Sequence, residues 1–189
     1  MADALASLLA KQEITEVIFR YARAIDRMDE ALLRSAFHPH STHNHFYQGP
    51  SSDSQRVATD DDPGDFVRFA LQVLSANTHT HHQMGNTLVE LDNDTHARVE
   101  TYFTAYHRMR ALGDPLASPD AFETEMDYFV AGRYLDRFEL IDGVWKIAHR
   151  TGMTDWMRIE SPSSRGTAGI DQDTVGQRAP DDFLYKLAK

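Results

Sequence analysis

Hydrophobic residues in the first part of the chain recur at three- and four-residue steps, which is the spacing of one face of an α-helix. The members of this stripe are Ile14, Val17, Ile18, Tyr21 and Ile25. A second, short helix is predicted from Asp29, whose carboxylate is a suitable helix cap. A third is predicted from Pro63, because proline is favoured at the first position of a helix.

The second half of the chain alternates between hydrophobic and polar residues, as expected for β-strands with one buried face. Residues 96–112 alternate well, and residues 125–153 predict a hairpin that turns at Asp142 and Gly143. A shorter strand is predicted within residues 41–49, before the first of these longer strands. Helices followed by a run of antiparallel strands indicate the α+β class.

Residues 77–91 contain three histidines within four positions, followed by an alternating hydrophobic segment. Strand alternation places His82 and Asn86 on one face of this segment, and His79 and His81 on the other. The first face has mixed polarity, which suits a cavity wall. The second face is expected to contact solvent or a subunit interface.

These elements predict a cone-shaped α+β barrel, in which a strongly curved antiparallel sheet packs against the three helices of the N-terminal half. Such a sheet leaves a cavity of the kind that binds small ligands. We expect residues 1–160 to form this barrel domain. Residues 161–189 are rich in Gly, Ser, Pro, Asp and Gln and form a C-terminal tail. An apolar cluster near its end predicts that the tail covers the pocket or an interface.

Composition narrows the possible partners and the compartment. The chain of 189 residues is 41% hydrophobic and carries a net charge of −10, so it can build a core but repels nucleic acid and anionic membranes. It has no cysteine, which excludes disulfides and thiolate chemistry. Its N-terminus lacks the features of a signal peptide, and no apolar run is long enough to span a bilayer. We expect a soluble cytoplasmic protein.

A second group of histidines raises the question of a metal site. Its members are His38, His40, His43 and His45. Histidines spaced by one residue on a strand can bind transition metals. Since no fixed metal-binding motif accompanies them, we predict no functional metal. Instead, His45 or Tyr47 is expected to line the cavity from the short strand.

The order of elements and the segments "YARAID", "HHQMGN" and "GRYLDRFELIDGVWKI" resemble the SnoaL-like branch of the nuclear transport factor 2-like superfamily. The resemblance covers roughly residues 5–160. This branch contains scytalone dehydratase, hexachlorocyclohexane dehydrochlorinase and bile acid 7α-dehydratase, and its enzymes are typically free of cofactors. The resemblance implies a small hydrophobic substrate, no cofactor, and a homo-oligomer that is preferably a trimer, with a dimer as the alternative.

The resemblance also implies roles for individual residues. The aspartate at the end of the first helix and the strand histidine of these enzymes correspond to Asp26 and His82. Tyr21 corresponds to a functional tyrosine of the bile acid dehydratase, and Arg150 to an arginine of the dehydrochlorinase. His107 lies where scytalone dehydratase has a second pocket histidine. Each residue also has a simpler interpretation: Asp26 as a helix cap, Tyr21 as core and Arg150 as a surface charge.

The pocket predicted from the resemblance departs from that of scytalone dehydratase. A serine and asparagine pair of that enzyme is missing, and Met126 and Tyr128 lie at about that spacing. We expect Tyr128 and Phe103 to bind substrate, together with His107 and Asn86. Because of this departure, the identity of the substrate cannot be transferred from the resemblance.

These residues predict a cofactor-independent lyase with an Asp-His dyad. A histidine has a pKa near neutrality and can act as a general base, and a carboxylate on its other nitrogen fixes the tautomer. The substrate is expected to be aromatic or polycyclic, and the leaving group to be water, halide or formaldehyde. The alternatives are an isomerase, cyclase or epoxide hydrolase in the same pocket, and a non-catalytic binding or assembly module.

Overall fold

Residues 2–45, 63–162 and 169–187 are described by a computed structural model of the chain. The helices are α1 (Ala2–Arg27), α2 (Glu30–Ala36), α3 (Pro63–Ser75) and α4 (Leu184–Leu187), with a 3-10 turn at Gln172–Thr174. The strands are β1 (Phe37–His45), β2 (Asn77–Leu91), β3 (His96–Met109), β4 (Met126–Ile141) and β5 (Val144–Glu160). Helices and a single five-stranded sheet confirm the predicted α+β class.

The hydrophobic stripe of α1 is buried against the sheet, as its spacing predicts. The helix ends at Arg27, and Met28 adopts a left-handed conformation with φ of 51°. Asp29 then caps α2, because its Oδ1 accepts a hydrogen bond from the Leu32 N–H at 2.9 Å. Asp29 rather than Asp26 therefore serves as the helix cap, which leaves the Asp26 carboxylate available for other contacts.

The sheet has the strand order β1-β5-β4-β3-β2. Neighbouring strands from β2 to β5 are antiparallel, whereas β1 runs parallel to β5. The prediction of a wholly antiparallel sheet is wrong at this edge. No hairpin joins β1 to β5, so the alternation within each strand does not determine their relative direction. The sheet is also open, with β1 and β2 at its edges, so the predicted barrel does not close.

The hairpin between β4 and β5 turns where the sequence predicts. Asp142 and Gly143 have φ angles of 52° and 75°, which suits the two-residue turn that joins twisted antiparallel strands. The predicted turn is confirmed.

Helices α1 and α3 pack on one side of the sheet, which we call the inner face. The buried cluster there joins α1 and α3 to Val99, Phe138 and Ile147 on the strands. The opposite side, the outer face, carries exposed hydrophobic residues. They include Leu88, Tyr102, Leu135 and Trp156. Within the described residues no helix is long and apolar enough to cross a membrane.

The described part of the C-terminal tail lies against the end of α1. The Ala179 N–H donates to the Arg27 carbonyl at 2.7 Å, and the Tyr185 hydroxyl donates to Asp29 Oδ2 at 2.8 Å. Two members of the apolar cluster near the end of the tail, Phe183 and Leu187, are exposed. The described tail is thus attached to the end of α1 and the start of α2 through polar contacts.

Candidate active site

Asp26 and His82 are in direct contact, although 56 positions separate them in the chain. Asp26 is the penultimate residue of α1, and His82 lies on the inner face of β2. The Nδ1 atom of His82 lies 2.7 Å from Asp26 Oδ1, and the backbone N–H of His82 donates to Asp26 Oδ2 at 2.8 Å. An ionised carboxylate only accepts hydrogen bonds, so Nδ1 carries a proton, and in the neutral form of the ring Nε2 is the atom with the lone pair.

The environment of the dyad keeps Asp26 ionised. Its side chain is 10% exposed and that of His82 is 7% exposed. Burial alone would raise the pKa of Asp26. The hydrogen bond from the His82 ring, the charge of that ring in its protonated form and the hydrogen bond from the His82 backbone N–H together lower this pKa by more than burial raises it. The net pKa of Asp26 therefore lies below its ordinary value, and the carboxylate can stabilise an imidazolium on His82.

His107 lies edge-to-face against His82, with ring centroids 5.0 Å apart and an interplanar angle of 89°. Burial, followed by repulsion from the His82 ring in its protonated form, lowers the pKa of His107 to about 3, so the His107 imidazole is neutral near pH 7. Its buried Nδ1 has no hydrogen-bond partner in the described part of the chain. The structure thus brings a second, neutral histidine beside the dyad.

Tyr128 continues this row of side chains across the sheet. Its ring centroid lies 5.3 Å from that of His107, because the two residues pair directly between β3 and β4. The Tyr128 hydroxyl lies 3.9 Å from the Met157 sulfur, and burial raises the pKa of Tyr128. A neutral phenol therefore stands one strand beyond His107 on the inner face.

Phe103 is also on the inner face, but it packs away from this row. Its ring stacks on Tyr134 with centroids 4.4 Å apart. Since the Tyr134 ring also contacts the guanidinium of Arg150, Phe103 belongs to the aromatic group around that arginine.

Arg150 is fully buried on the inner face, with no exposed side-chain area. Its Nε and Nη2 donate to the two oxygens of Asp136 at 2.8 and 2.7 Å. The guanidinium lies 4.1 Å from the ring centroids of both Tyr21 and Tyr134, and Nη1 has no partner among the described residues. Although burial alone would lower the pKa of Arg150, Asp136 raises it, so the group is a permanent cation.

The position of Arg150 departs from simple alternation along β5. Strict alternation would place it opposite Trp145 and Ile147. The pairing between β4 and β5 shifts register between Arg137 and Phe138, which inserts one extra residue into β5. This shift returns Arg150 to the inner face beside Ile147. The interpretation of Arg150 as a surface charge is therefore wrong.

Tyr21 belongs to both the core and the surroundings of Arg150. It is buried, and its ring contacts Phe37 and Tyr134 edge-on at 5.8 and 5.7 Å. The structure thus brings Tyr21 to Arg150. None of the described contacts joins it to Asp26.

Asn86 does not lie on the face that carries His82. The pairing of β2 with β3 shifts register between Met84 and Thr87, so one extra residue is inserted there. Asn86 is exposed and lines a groove of about 370 Å³ on the outer face, together with Tyr102 and Trp156. The sheet separates this groove from the dyad. The prediction that Asn86 shares a face with His82 is wrong, because strand alternation is broken by the bulge.

The short strand gives less information about the predicted pocket. The backbone of His45 pairs with Gly152 at the β1–β5 edge, while Tyr47 lies outside the described residues. The rings of His38 and His40 are 6.0 Å apart. Within the described ranges, no group of three or more His, Asp or Glu side chains is placed to hold a metal ion.

Asp136 is a residue of this region that the sequence analysis missed. It lies in the segment "YLDRF", two positions from both Tyr134 and Phe138. A carboxylate at the buried position of an alternating strand requires a partner, because an unpaired buried charge is costly. That signal could have predicted the pairing of Asp136 with a buried cation.

The chain was compared with protein families and known structures. The model of the SnoaL-like domain matches residues 6–151, whereas none of the curated proteins matches. The fold is similar to a hexachlorocyclohexane dehydrochlorinase, LinA type 2, with a TM-score of 0.70 and 17% identity over 88% of this chain and 99% of the other. The fold is also similar to a protein from Novosphingobium aromaticivorans that is provisionally assigned as a scytalone dehydratase. The TM-score is 0.64, and the identity is 19% over 88% of this chain and 99% of the other.

A cystatin-like protein of unknown function from Nostoc punctiforme is similar as well, with a TM-score of 0.56 and 18% identity over 78% of this chain and 92% of the other. At these identities the structural similarities show the fold alone. They place the open sheet and its helices among nuclear transport factor 2-like, cystatin-like folds. Because the family model covers most of the chain, the protein belongs to the SnoaL-like domain family.

Proposed function

We propose that the protein is a cofactor-independent lyase in which His82 removes a proton from a small hydrophobic substrate. The observation that carries this proposal is the double contact of Asp26 with the Nδ1 atom and the backbone N–H of His82, at 2.7 and 2.8 Å. This contact fixes both the tautomer and the plane of the imidazole. It leaves Nε2 as the basic atom, as in a catalytic triad.

The proposed reaction is an elimination. Nε2 of His82 takes the proton from a carbon atom of the substrate, and the electrons of that C–H bond form a carbon–carbon double bond. The bond from the neighbouring carbon to the leaving group breaks, and the leaving group departs with its electron pair. Asp26 stabilises the resulting imidazolium. A positioned general base contributes roughly 10²- to 10⁴-fold to such a step.

Other inner-face groups are proposed to assist departure of the leaving group. Arg150 has an Nη1 without a partner in the described part of the structure, and its orientation is fixed by Asp136. Tyr128 offers a hydroxyl, and neutral His107 offers a ring nitrogen beside the base. Hydrogen bonds aimed at the charge that develops on the leaving group stabilise the transition state. Tyr21 orders the guanidinium by stacking against it.

The names of two similar structures support elimination over other reactions. One is a dehydrochlorinase and the other is provisionally a dehydratase, and both names describe removal of a small molecule from a substrate. The inner face also carries the stacked rings of Phe103 and Tyr134, and aromatic side chains of this kind suit an apolar ligand. We therefore place an aromatic or polycyclic substrate first, with halide, or hydroxide that is released as water after taking up a proton, as leaving group. Loss of formaldehyde would use the same base differently: Nε2 would remove the proton of a hydroxymethyl O–H, the C–C bond to that group would break, and its electron pair would stay on the remaining carbon.

An isomerase is the second candidate, because the same base can return its proton to a different carbon. A non-catalytic binding module is the third. The buried dyad argues against the third candidate, since a scaffold gains little from a carboxylate and an imidazole that must be desolvated.

Product analysis tests the proposal. Purified protein is incubated with a panel of β-hydroxy and β-halo carbonyl compounds, and products are identified by mass. We expect loss of water or hydrogen halide with wild type, about a hundredfold slower loss with His82→Ala, and unchanged loss with the control His81→Ala. His81 neighbours His82 but is exposed on the outer face. Products of unchanged mass would favour the isomerase, and equal rates with His82→Ala would refute the role of His82.

A further inference from the structure

Residues 176–185, which we call the clamp, contact the segment that carries Asp26. The Ala179 N–H donates to the Arg27 carbonyl at 2.7 Å. The Asp182 carboxylate forms an ion pair with Arg27, with Oδ2 3.0 Å from Nε. The Tyr185 hydroxyl donates to Asp29 Oδ2 at 2.8 Å. The clamp thus binds residues one and three positions after the dyad aspartate.

The same clamp contacts the segment that leads to His82. The Nη2 atom of Arg178 donates to the Leu74 carbonyl at 3.0 Å and to the Asn77 carbonyl at 2.6 Å. Leu74 lies in the last turn of α3, and Asn77 is the first residue of β2. One guanidinium therefore joins the end of a helix to the start of the strand that carries His82.

Asp182 holds the clamp together internally. Its Oδ2 accepts from the Gln177 N–H at 2.8 Å, and its Oδ1 accepts from the Leu184 N–H at 3.0 Å. Burial alone would raise the pKa of Asp182, but these two N–H donors and Arg27 lower it below its ordinary value. An ionised, nearly buried carboxylate thus fixes the clamp to α1.

We infer that the clamp is a positioning element for the dyad, which holds the end of α1 and the start of β2 in the register that brings Asp26 to His82. This inference rests on the proposed function for its catalytic consequence. Its structural part, the dependence of the Asp26–His82 contact on residues 176–185, stands on the contacts alone.

The end of α1 requires such support. Met28 follows the helix with a φ of 51°. Residues other than glycine seldom adopt this backbone conformation, and the surrounding contacts must hold them in it. Release of the clamp removes both the ion pair of Arg27 and the hydrogen bond to its carbonyl. A shift of about 1 Å at this turn would stretch the dyad hydrogen bond beyond its normal range and reduce catalysis by roughly a hundredfold.

The test compares Asp182→Asn with Asp181→Asn. Both variants remove one carboxylate from the same turn, but only Asp182 has described contacts through its side chain. Imidazole ¹⁵N and ¹H NMR spectra report the hydrogen bond at His82 Nδ1. The signal of this N–H group is identified as the one that is missing from the spectrum of His82→Ala. We expect Asp182→Asn to lose or shift this signal and to slow elimination roughly ten- to hundredfold. Asp181→Asn is expected to retain the wild-type signal and rate.

Tyr185→Phe gives a milder version of the same test, because it removes only the hydroxyl that binds Asp29. Tyr185→Phe is expected to change the His82 signal in the same way as Asp182→Asn but to a smaller extent. If Asp182→Asn fails to fold, the result for Tyr185→Phe decides whether the clamp positions the dyad. A wild-type His82 signal in folded Asp182→Asn, or in Tyr185→Phe when the former is unfolded, would overturn the inference. Failure of the proposed function appears separately, as equal turnover by wild type and His82→Ala with the NMR signal intact.

Discussion

At the scale of single residues, the contact between Asp26 and His82 defines the imidazole in two ways. The bond to Nδ1 selects the tautomer, and the bond to the backbone N–H fixes the carboxylate relative to the strand. A carboxylate that used only one oxygen would leave the ring free to rotate about its own bonds. The geometry is therefore that of an oriented base, whereas a surface ion pair would be looser and more exposed.

His107 makes the stability of the fold depend on pH. Its folded-state pKa of about 3 lies below the ordinary value of 6.5. The unfolded chain therefore binds more protons between these values, and stability decreases as the pH falls from 6.5 towards 3. We expect His107→Leu to flatten this part of the profile. Urea denaturation across this pH window checks it, with His81→Leu as control, and an unchanged slope for His107→Leu would contradict the prediction.

The Arg150–Asp136 pair is expected to be costly to break. Asp136→Asn leaves a buried guanidinium without its counter-charge, so the free energy of unfolding should decrease by about 3–5 kcal/mol. Glu100→Gln, which removes a half-buried partner of Arg133, is the control and should lose less than about 1 kcal/mol. Urea denaturation at neutral pH measures both. A loss for Asp136→Asn as small as that of the control would show that water reaches Arg150.

At the scale of secondary-structure elements, the sequence predicts local features and misses the shifts between strands. The spacing of Ile14 and its neighbours predicts α1, and Asp142–Gly143 predicts the hairpin, because both signals lie within a few residues. Asn86 and Arg150 were assigned to the wrong face by alternation. Asn86 lies within a bulge and Arg150 follows one, and an inserted residue leaves no mark in the hydrophobic pattern of a single strand.

The site was predictable to a similar extent. Asp26 and His82 could be paired only through the family resemblance, since no periodicity joins residues so far apart in the chain. The partner of Arg150 was missed because Asp136 becomes its neighbour through cross-strand pairing of β4 with β5. The contacts of Asp182 and Tyr185 were also beyond prediction, because they depend on where an irregular segment ends in space.

The C-terminal tail gives a prediction at this scale. We propose that residues 1–160 fold as a domain and that residues 161–189 act as an accessory segment. Ending the chain after Glu160 should leave circular dichroism of the helices and sheet largely intact. It should also lower turnover or loosen assembly, because the contacts to Arg27 and Asp29 are lost. A truncated protein with unchanged turnover, substrate affinity and oligomeric state would show that the tail is dispensable.

At the scale of the whole molecule, the outer face of the sheet exposes several large hydrophobic side chains to water. Its exposed hydrophobic side chains are Leu88, Tyr102, Leu135 and Trp156. An exposed patch of this kind is commonly covered by a symmetry-related copy. We propose a homo-oligomer, with a trimer preferred over a dimer.

Light scattering over a range of concentrations tests this assembly. The wild type is expected to have the mass of a trimer, and Trp156→Glu is expected to shift it towards the monomer. Leu112→Glu is a matched control, because Leu112 is exposed on the loop between β3 and β4 instead of the sheet. A monomeric mass for the wild type at every concentration would contradict the proposal.

The central claim is that His82, oriented by Asp26, removes a proton from carbon. The most direct measurement uses an analogue that lacks the leaving group of a substrate found by product analysis, so that the carbon can only take a proton back. Exchange of deuterium from D₂O into this analogue is followed by NMR for wild type, His82→Ala and His81→Ala. The account predicts exchange with wild type and His81→Ala, and a decrease on the order of a hundredfold or more with His82→Ala. Exchange that proceeds equally in wild type and folded His82→Ala would show that another group is the base and would contradict the account.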